Sequence, residues 1–105
     1  MDQVSGRFVL KLFVTGQTSR SQHAIANLHR IAEEEFPGMF HIQIIDVLEN
    51  PEVAEEMRVL ATPTLIKELP PPIRRIIGDL SDSEKVLAGL GIARVTEPHP
   101  PSRSA

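Results

Sequence analysis

LATPTLIKELPPPIRRIIGDL, residues 60–80, supports two different secondary structures, each with sound local chemistry. In one, Thr62 is a helix N-cap and Pro63 takes the first helical position, where its missing N–H costs nothing. Leu65, Ile66 and Leu69 then form a short apolar helix face. In the other, Pro63 ends one element and the β-prone run from Thr64 to Lys67 enters a sheet. Beyond Pro70, Pro71 and Pro72 the same conflict returns. Ile73, Ile76, Ile77 and Leu80 have the i, i+3, i+4, i+7 spacing of a helix, whereas Arg74-Arg75-Ile76-Ile77 running into Gly78-Asp79 has the form of a strand and a turn. Sequences normally resolve such conflicts, so two good readings of one segment are themselves a structural signal.

The flanking chain is clearer. Phe8 to Val14 (FVLKLFV) is an apolar run interrupted only by Lys11, which predicts a strand buried on both faces, followed by a turn at Gly16-Gln17-Thr18. From Ser19 or Ser21 as N-cap, Ala24, Ile25, Leu28, Ile31, Ala32 and Phe36 trace a helical stripe that ends before Pro37-Gly38. Phe40 to Val47 predicts a second buried strand, and strand–helix–strand at this length implies a right-handed parallel crossover. Asn50-Pro51-Glu52 is a helix start with Val53, Met57 and Leu60 on one face, though β-branched Val53 and Val59 leave an extended alternative open. Ser81 to Glu84 forms a capping box, after which Val86, Leu87 and Leu90 give a helical stripe ended by Gly89 and Gly91. Lys85 to Leu90 is also short and apolar enough to be a strand. Residues 94–105 are rich in proline and serine and are expected to be a disordered tail, leaving residues 1–7 as an arm and 8–93 as one domain.

Composition removes several functions. A chain of 105 residues with 41% hydrophobic and 24% charged residues supports one modest core, and a formal charge of -3 argues against nucleic acid as a partner. Four Phe with no Tyr or Trp offer little for stacking bases. The absence of cysteine removes disulfides, thiolate metal sites and cysteine nucleophiles together. With no apolar leader in MDQVSGR and no long apolar run, no membrane contact is expected and the protein is placed in the cytoplasm.

Helical options at Pro51 and Ser81 with strand options at Thr64 and Arg74 give βαβαββα, a thioredoxin-like α/β order. Ala61 to Leu90 (ATPTLIKELPPPIRRIIGDLSDSEKVLAGL), together with VLKLFVTG (Val9 to Gly16) and IIDVLENPEVAEE (Ile44 to Glu56), closely resembles the KaiB family, fold-switching proteins of the cyanobacterial circadian clock. The resemblance implies a metamorphic single domain: a ground state βαββααβ that forms a homo-oligomer, a dimer or tetramer, and a rarer thioredoxin-like monomer that binds the N-terminal ATPase ring of KaiC. The segment ambiguous on its own chemistry is the one such a switch would refold. His41 and Gln43 stand where the clock proteins carry Ala and Lys on the surface used for KaiA, which puts recruitment of KaiA in doubt. Gly91 and Arg94 replace an Asp and a Tyr, and His23 an Arg. The implied setting is a KaiC-like ATPase partner in a bacterium without KaiA.

Pro63, by analogy with the proline before a thioredoxin strand, is expected to follow a cis peptide in one fold and a trans one in the other, which slows exchange. Pro70, Pro71 and Pro72 are either a second isomerising element or a rigid spacer, and a hinge under both readings. Lys67, Arg74 and Arg75 form a basic group suited to an acidic patch on the ATPase ring, with Arg58 as a further cation, although solvated charges or an ion pair to Glu55 explain them equally well. Gly89, inside the helix option, costs about 1 kcal/mol relative to alanine, so Gly89→Ala is expected to favour the thioredoxin-like state about fivefold. His23, His29, His41 and His99 lack ligand spacing, so no metal is expected. Gly16-Gln17-Thr18-Ser19 replaces the thioredoxin Cys-x-x-Cys, and no phosphate loop exists, so neither catalysis nor a cofactor is expected.

Overall fold

A computed structural model describes residues 7–92. The tail expected at 94–105 lies outside them, as does the N-terminal arm apart from Arg7. The elements are β1 (Phe8–Val14), α1 (Ser19–Glu35), β2 (Phe40–Asp46), α2 (Pro51–Glu56), β3 (Thr64–Leu69), β4 (Arg74–Ile77) and α3 (Ser83–Gly89), the thioredoxin-like βαβαββα order. One sheet runs β2-β1-β3-β4, with β1 parallel to β2 and antiparallel to β3, and β3 antiparallel to β4.

Both ambiguous segments are strands here: β3 because it is buried on two faces, and β4 because it pairs with β3 as a largely exposed edge strand. Leu65 and Ile66 are each 0% exposed. A helix would put them on one stripe, whereas the alternation of a strand sends them to opposite faces, where two cores receive them. On one face Leu65 joins Leu10, Leu12 and Val14 of β1, Leu28 and Ile31 of α1, and Val86, Leu87 and Leu90 of α3. On the other, Ile66 joins Phe13 and Ile45 under Val53 and Met57 of the α2 segment. Helices α1 and α3 thus cover one side of the sheet and α2 the other. The Thr62-Pro63 peptide is cis, the geometry assigned to Pro63 in the thioredoxin-like order, and Leu69-Pro70 and Pro71-Pro72 are cis as well.

Four local expectations are corrected. The N-cap of α1 is Thr18 rather than Ser19 or Ser21: its hydroxyl accepts from the Ser21 amide at 3.2 Å, and Ser21 is drawn into the first turn to bond the carbonyl and amide of Thr15. Strand β2 is not buried on both faces. It is an edge strand, with His41, Gln43 and Ile44 exposed. Leu60 is not on the α2 face, because that helix stops at Glu56 and leaves Leu60 95% exposed. The cap of α3 is Asp82, whose carboxylate accepts from the Glu84 and Lys85 amides at 3.1 and 3.2 Å, one residue later than the Ser81 capping box.

Candidate partner-binding surface

Strand alternation separates the four candidate basic residues. The register Lys67↔Arg74 and Ile66↔Arg75 places Lys67 and Arg74 on the α1/α3 face and Arg75 on the α2 face. Lys67 is withdrawn from the surface altogether. It is 3% exposed, and its ammonium donates to the Pro70 carbonyl at 2.6 Å. Burial first, and the like charge of Arg74 second, lower its pKa from the usual lysine value. In this fold Lys67 therefore cannot meet an acidic patch, and the expected basic trio reduces to Arg74 and Arg75, both exposed.

Arg75 does structural work on the opposite face. Its guanidinium donates to the Met57 carbonyl at 2.6 Å and the Arg58 carbonyl at 3.0 Å, where α2 ends. The ending is a Schellman motif: the Val59 amide bonds the Ala54 carbonyl at 2.9 Å and the Arg58 amide bonds Glu55 at 3.1 Å. That motif needs a left-handed residue, and here it is Arg58, at φ 56, in a place where glycine is preferred. A charged residue held at a glycine position is a pointer to function, since a neutral requirement for the turn would be met more cheaply by glycine.

Arg58 and Glu55 border a groove of about 770 Å³ whose apolar lining is Val47, Pro51, Ala54, Val59 and Leu60. Leu60 at 95% and Leu48 at 67% exposure extend this apolar surface. Together they form the best candidate for a partner interface: an apolar groove with one cation, Arg58, and one anion, Glu55, at its rim. The sequence puts Arg58 on the second helix as a cation, but that helix ends at Glu56 and Arg58 lies in the turn beyond it; the exposed Leu48 and Leu60 were not anticipated. The available signal was β-branched Val59, which marked the extended alternative after a short helix.

At the C-terminal end of β1, where thioredoxins carry their thiols, this chain presents hydroxyls bonded to one another. Thr15 Oγ1 and Thr62 Oγ1 lie 2.5 Å apart, and Thr18 donates to Ser21 at 2.9 Å. With no cysteine in the chain, dithiol exchange is unavailable to it. On the other side of the sheet, Gly91 closes α3 at φ +75, and a Cβ there would lie 3.4 Å from the Arg74 guanidinium. Gly89, the last residue of α3, faces Ile76 on β4. Among the described residues no helix is long and apolar enough to cross a membrane.

Fold and surface together define a thioredoxin-like α/β domain that lacks the thiol pair. Solved structures agree. The N-terminal domain of Synechococcus elongatus SasA superposes with a TM-score of 0.69 at 26% identity, covering 87% of this chain and 90% of that one. Mitochondrial thioredoxin 3 of Saccharomyces cerevisiae superposes with a TM-score of 0.65 at 18% identity, covering 83% and 79%. The KaiB domain family model matches residues 11–92, and the chain belongs to the KaiB family. It is 57% identical over 86 residues to the circadian clock protein KaiB3 of Synechocystis sp., covering 82% of this chain and 84% of that protein. It is 59% identical over 85 residues to the circadian clock oscillator protein KaiB of Microcystis aeruginosa, covering 81% and 82%. Membership in a family of named clock proteins supports a regulatory role in a clock.

Proposed function

We propose that this protein is a non-catalytic clock component that, in its thioredoxin-like form, binds the N-terminal ATPase ring of a KaiC-like protein and modulates its phosphorylation cycle. The observation that carries this reading is an apolar groove bordered by Arg58 and Glu55 and ending in a fully presented Leu60, with Arg75 holding the turn beside it through the Met57 and Arg58 carbonyls. That left-handed turn exists because α2 ends at Glu56, and the dual reading of residues 60–80 supplies a second arrangement in which it need not exist. A ground state βαββααβ, held as a homo-oligomer, would then be in exchange with the binding form.

Association with a KaiC-like ring in excess is therefore expected to level off at a rate, on the scale of minutes, that no longer depends on ring concentration. A rate that stays proportional to ring concentration would rule out a rare binding form. Raising salt is expected to weaken the complex through loss of the Arg58 and Arg75 charge interactions. The variant Arg58→Gly separates folding from binding. Glycine relieves the left-handed cost of about 1 kcal/mol, so Tm should rise while affinity for the ring falls. Thermal unfolding and a binding titration read the two effects independently.

The likeness to the SasA domain favours a second reading, a constitutively thioredoxin-like adaptor in bacterial signalling without clock timing. Sizing of the isolated protein separates the two: an oligomer that dissociates on binding favours the first, a permanent monomer the second.

A further inference from the structure

We infer that Lys67 is an alkaline-side conformational sensor: a buried ammonium on β3, held by one backbone carbonyl beside a second cation, whose charge penalises this fold and whose neutralisation favours it. Lys67 is 3% exposed, and its hydrogen bond is to the Pro70 carbonyl at 2.6 Å. Among the described residues no carboxylate forms an ion pair with it. Its register partner on β4 is Arg74, and β1 presents Leu10 to it. The helices on this face supply Leu28, Ile31, Leu87 and Leu90 to the core cluster. The neighbouring acid, Glu68, alternates onto the other face and pairs with Lys11 at 3.2 Å. A cation so placed gains one hydrogen bond and loses its hydration, while Arg74 repels it.

The sign follows from proton linkage. In the unfolded chain a lysine keeps its ordinary value, whereas burial and Arg74 lower it in the fold. Between the two values the unfolded chain binds more protons than the folded one, so stability rises with pH. The penalty is fully present below the folded value and gone above the unfolded one. The composition leaves this window open to inspection, because the chain has no Cys and no Tyr, and its lysines are Lys11, Lys67 and Lys85. The sensor is a property of the isolated chain. Only its bearing on exchange between two folds rests on the proposed function, and the tests use no partner.

The side-chain NMR signal of Lys67, followed from pH 7 to 11, is expected to move at lower pH than the same signal in the urea-unfolded protein. Where residues 64–69 and 74–77 have strand shifts, coincidence of the two titrations overturns the inference. Where they have helical shifts, alkalinisation should convert them to strand shifts, and helical shifts that persist to the end of the titration overturn it. Lys67→Met should have a higher Tm than the parent at pH 7, with the gap narrowing as pH rises. Lys67→Arg, which keeps its charge throughout, should show no such convergence with Lys67→Met. A Lys67→Met gap constant across the range overturns the inference, and should that variant not fold, the NMR titration of the parent decides alone.

Discussion

Arg75→Ala is expected to destabilise the thioredoxin-like fold by about 2 kcal/mol, roughly thirtyfold in population, and to weaken partner binding at least tenfold. Two hydrogen bonds from one guanidinium, to Met57 at 2.6 Å and Arg58 at 3.0 Å, tie β4 to the end of α2. Each is a charged donor on a backbone carbonyl. In a buried site each would contribute more, but Arg75 is exposed, so about 1 kcal/mol apiece is the appropriate figure. The cation also sits where the helix dipole is negative. Binding should fall along with stability, because Arg58 and Leu60 are presented by the turn that Arg75 holds. Arg75→Lys carries the same charge without the planar fork and should recover less than half of either loss. Urea unfolding and a binding titration check both numbers, and full rescue by lysine would show that charge alone matters.

That Arg75 is a brace as well as a contact could not be read from the sequence. RRII marks a strand through β-propensity, but which of two adjacent arginines faces which helix depends on the register with Lys67 and Ile66, fixed by tertiary pairing. The same dependence explains Lys67. As a letter in TLIKEL it reads as a solvated cation. Alternation then places it on the buried side of a central strand, two positions from Leu65. The β1, α1 and β2 segments were legible as elements because an apolar run or a helical stripe marks each, although the edge position of β2 and the cap of α1 depend on tertiary pairing and local bonding. The α2 end was not, because its Schellman turn uses Arg58 where the sequence signal would be glycine. The dual reading of residues 60–80 resolved into strands for a nonlocal reason: Leu65 and Ile66 each find a core on opposite faces. Local chemistry stays balanced there, which is why the sequence alone held both options.

The two glycines at the end of α3 are expected to respond in opposite directions. Gly91→Ala should destabilise this fold by about 1–2 kcal/mol, which is roughly five- to thirtyfold in population. At φ +75 it is the left-handed residue of a Schellman motif, its amide bonded to the Ala88 carbonyl at 3.0 Å and the Ile92 amide to Leu87 at 2.9 Å. A methyl group there is strained whatever the space, and it would lie 3.4 Å from the Arg74 guanidinium. Gly89→Ala gains helix propensity, but less than the fivefold expected from the sequence, for two reasons. The residue is the last of the helix rather than mid-helix, and its Cβ would lie 2.8 Å from Ile76 Cδ1 and 2.9 Å from Cγ1. Cδ1 is the free end of a half-buried side chain and can rotate away, but Cγ1 moves only with χ1 or a small backbone shift, so at most a gain of about twofold should survive. Ile76→Val removes that atom, and the double variant should then be less costly than the two single changes predict. Strand shifts at residues 74–77 and helical shifts at 83–89 report the population in each variant. If Gly91→Ala leaves those shifts and the unfolding midpoint where they are in the parent, the turn at the end of α3 does not control this fold, and the balance between the two arrangements must be set elsewhere in residues 60–80.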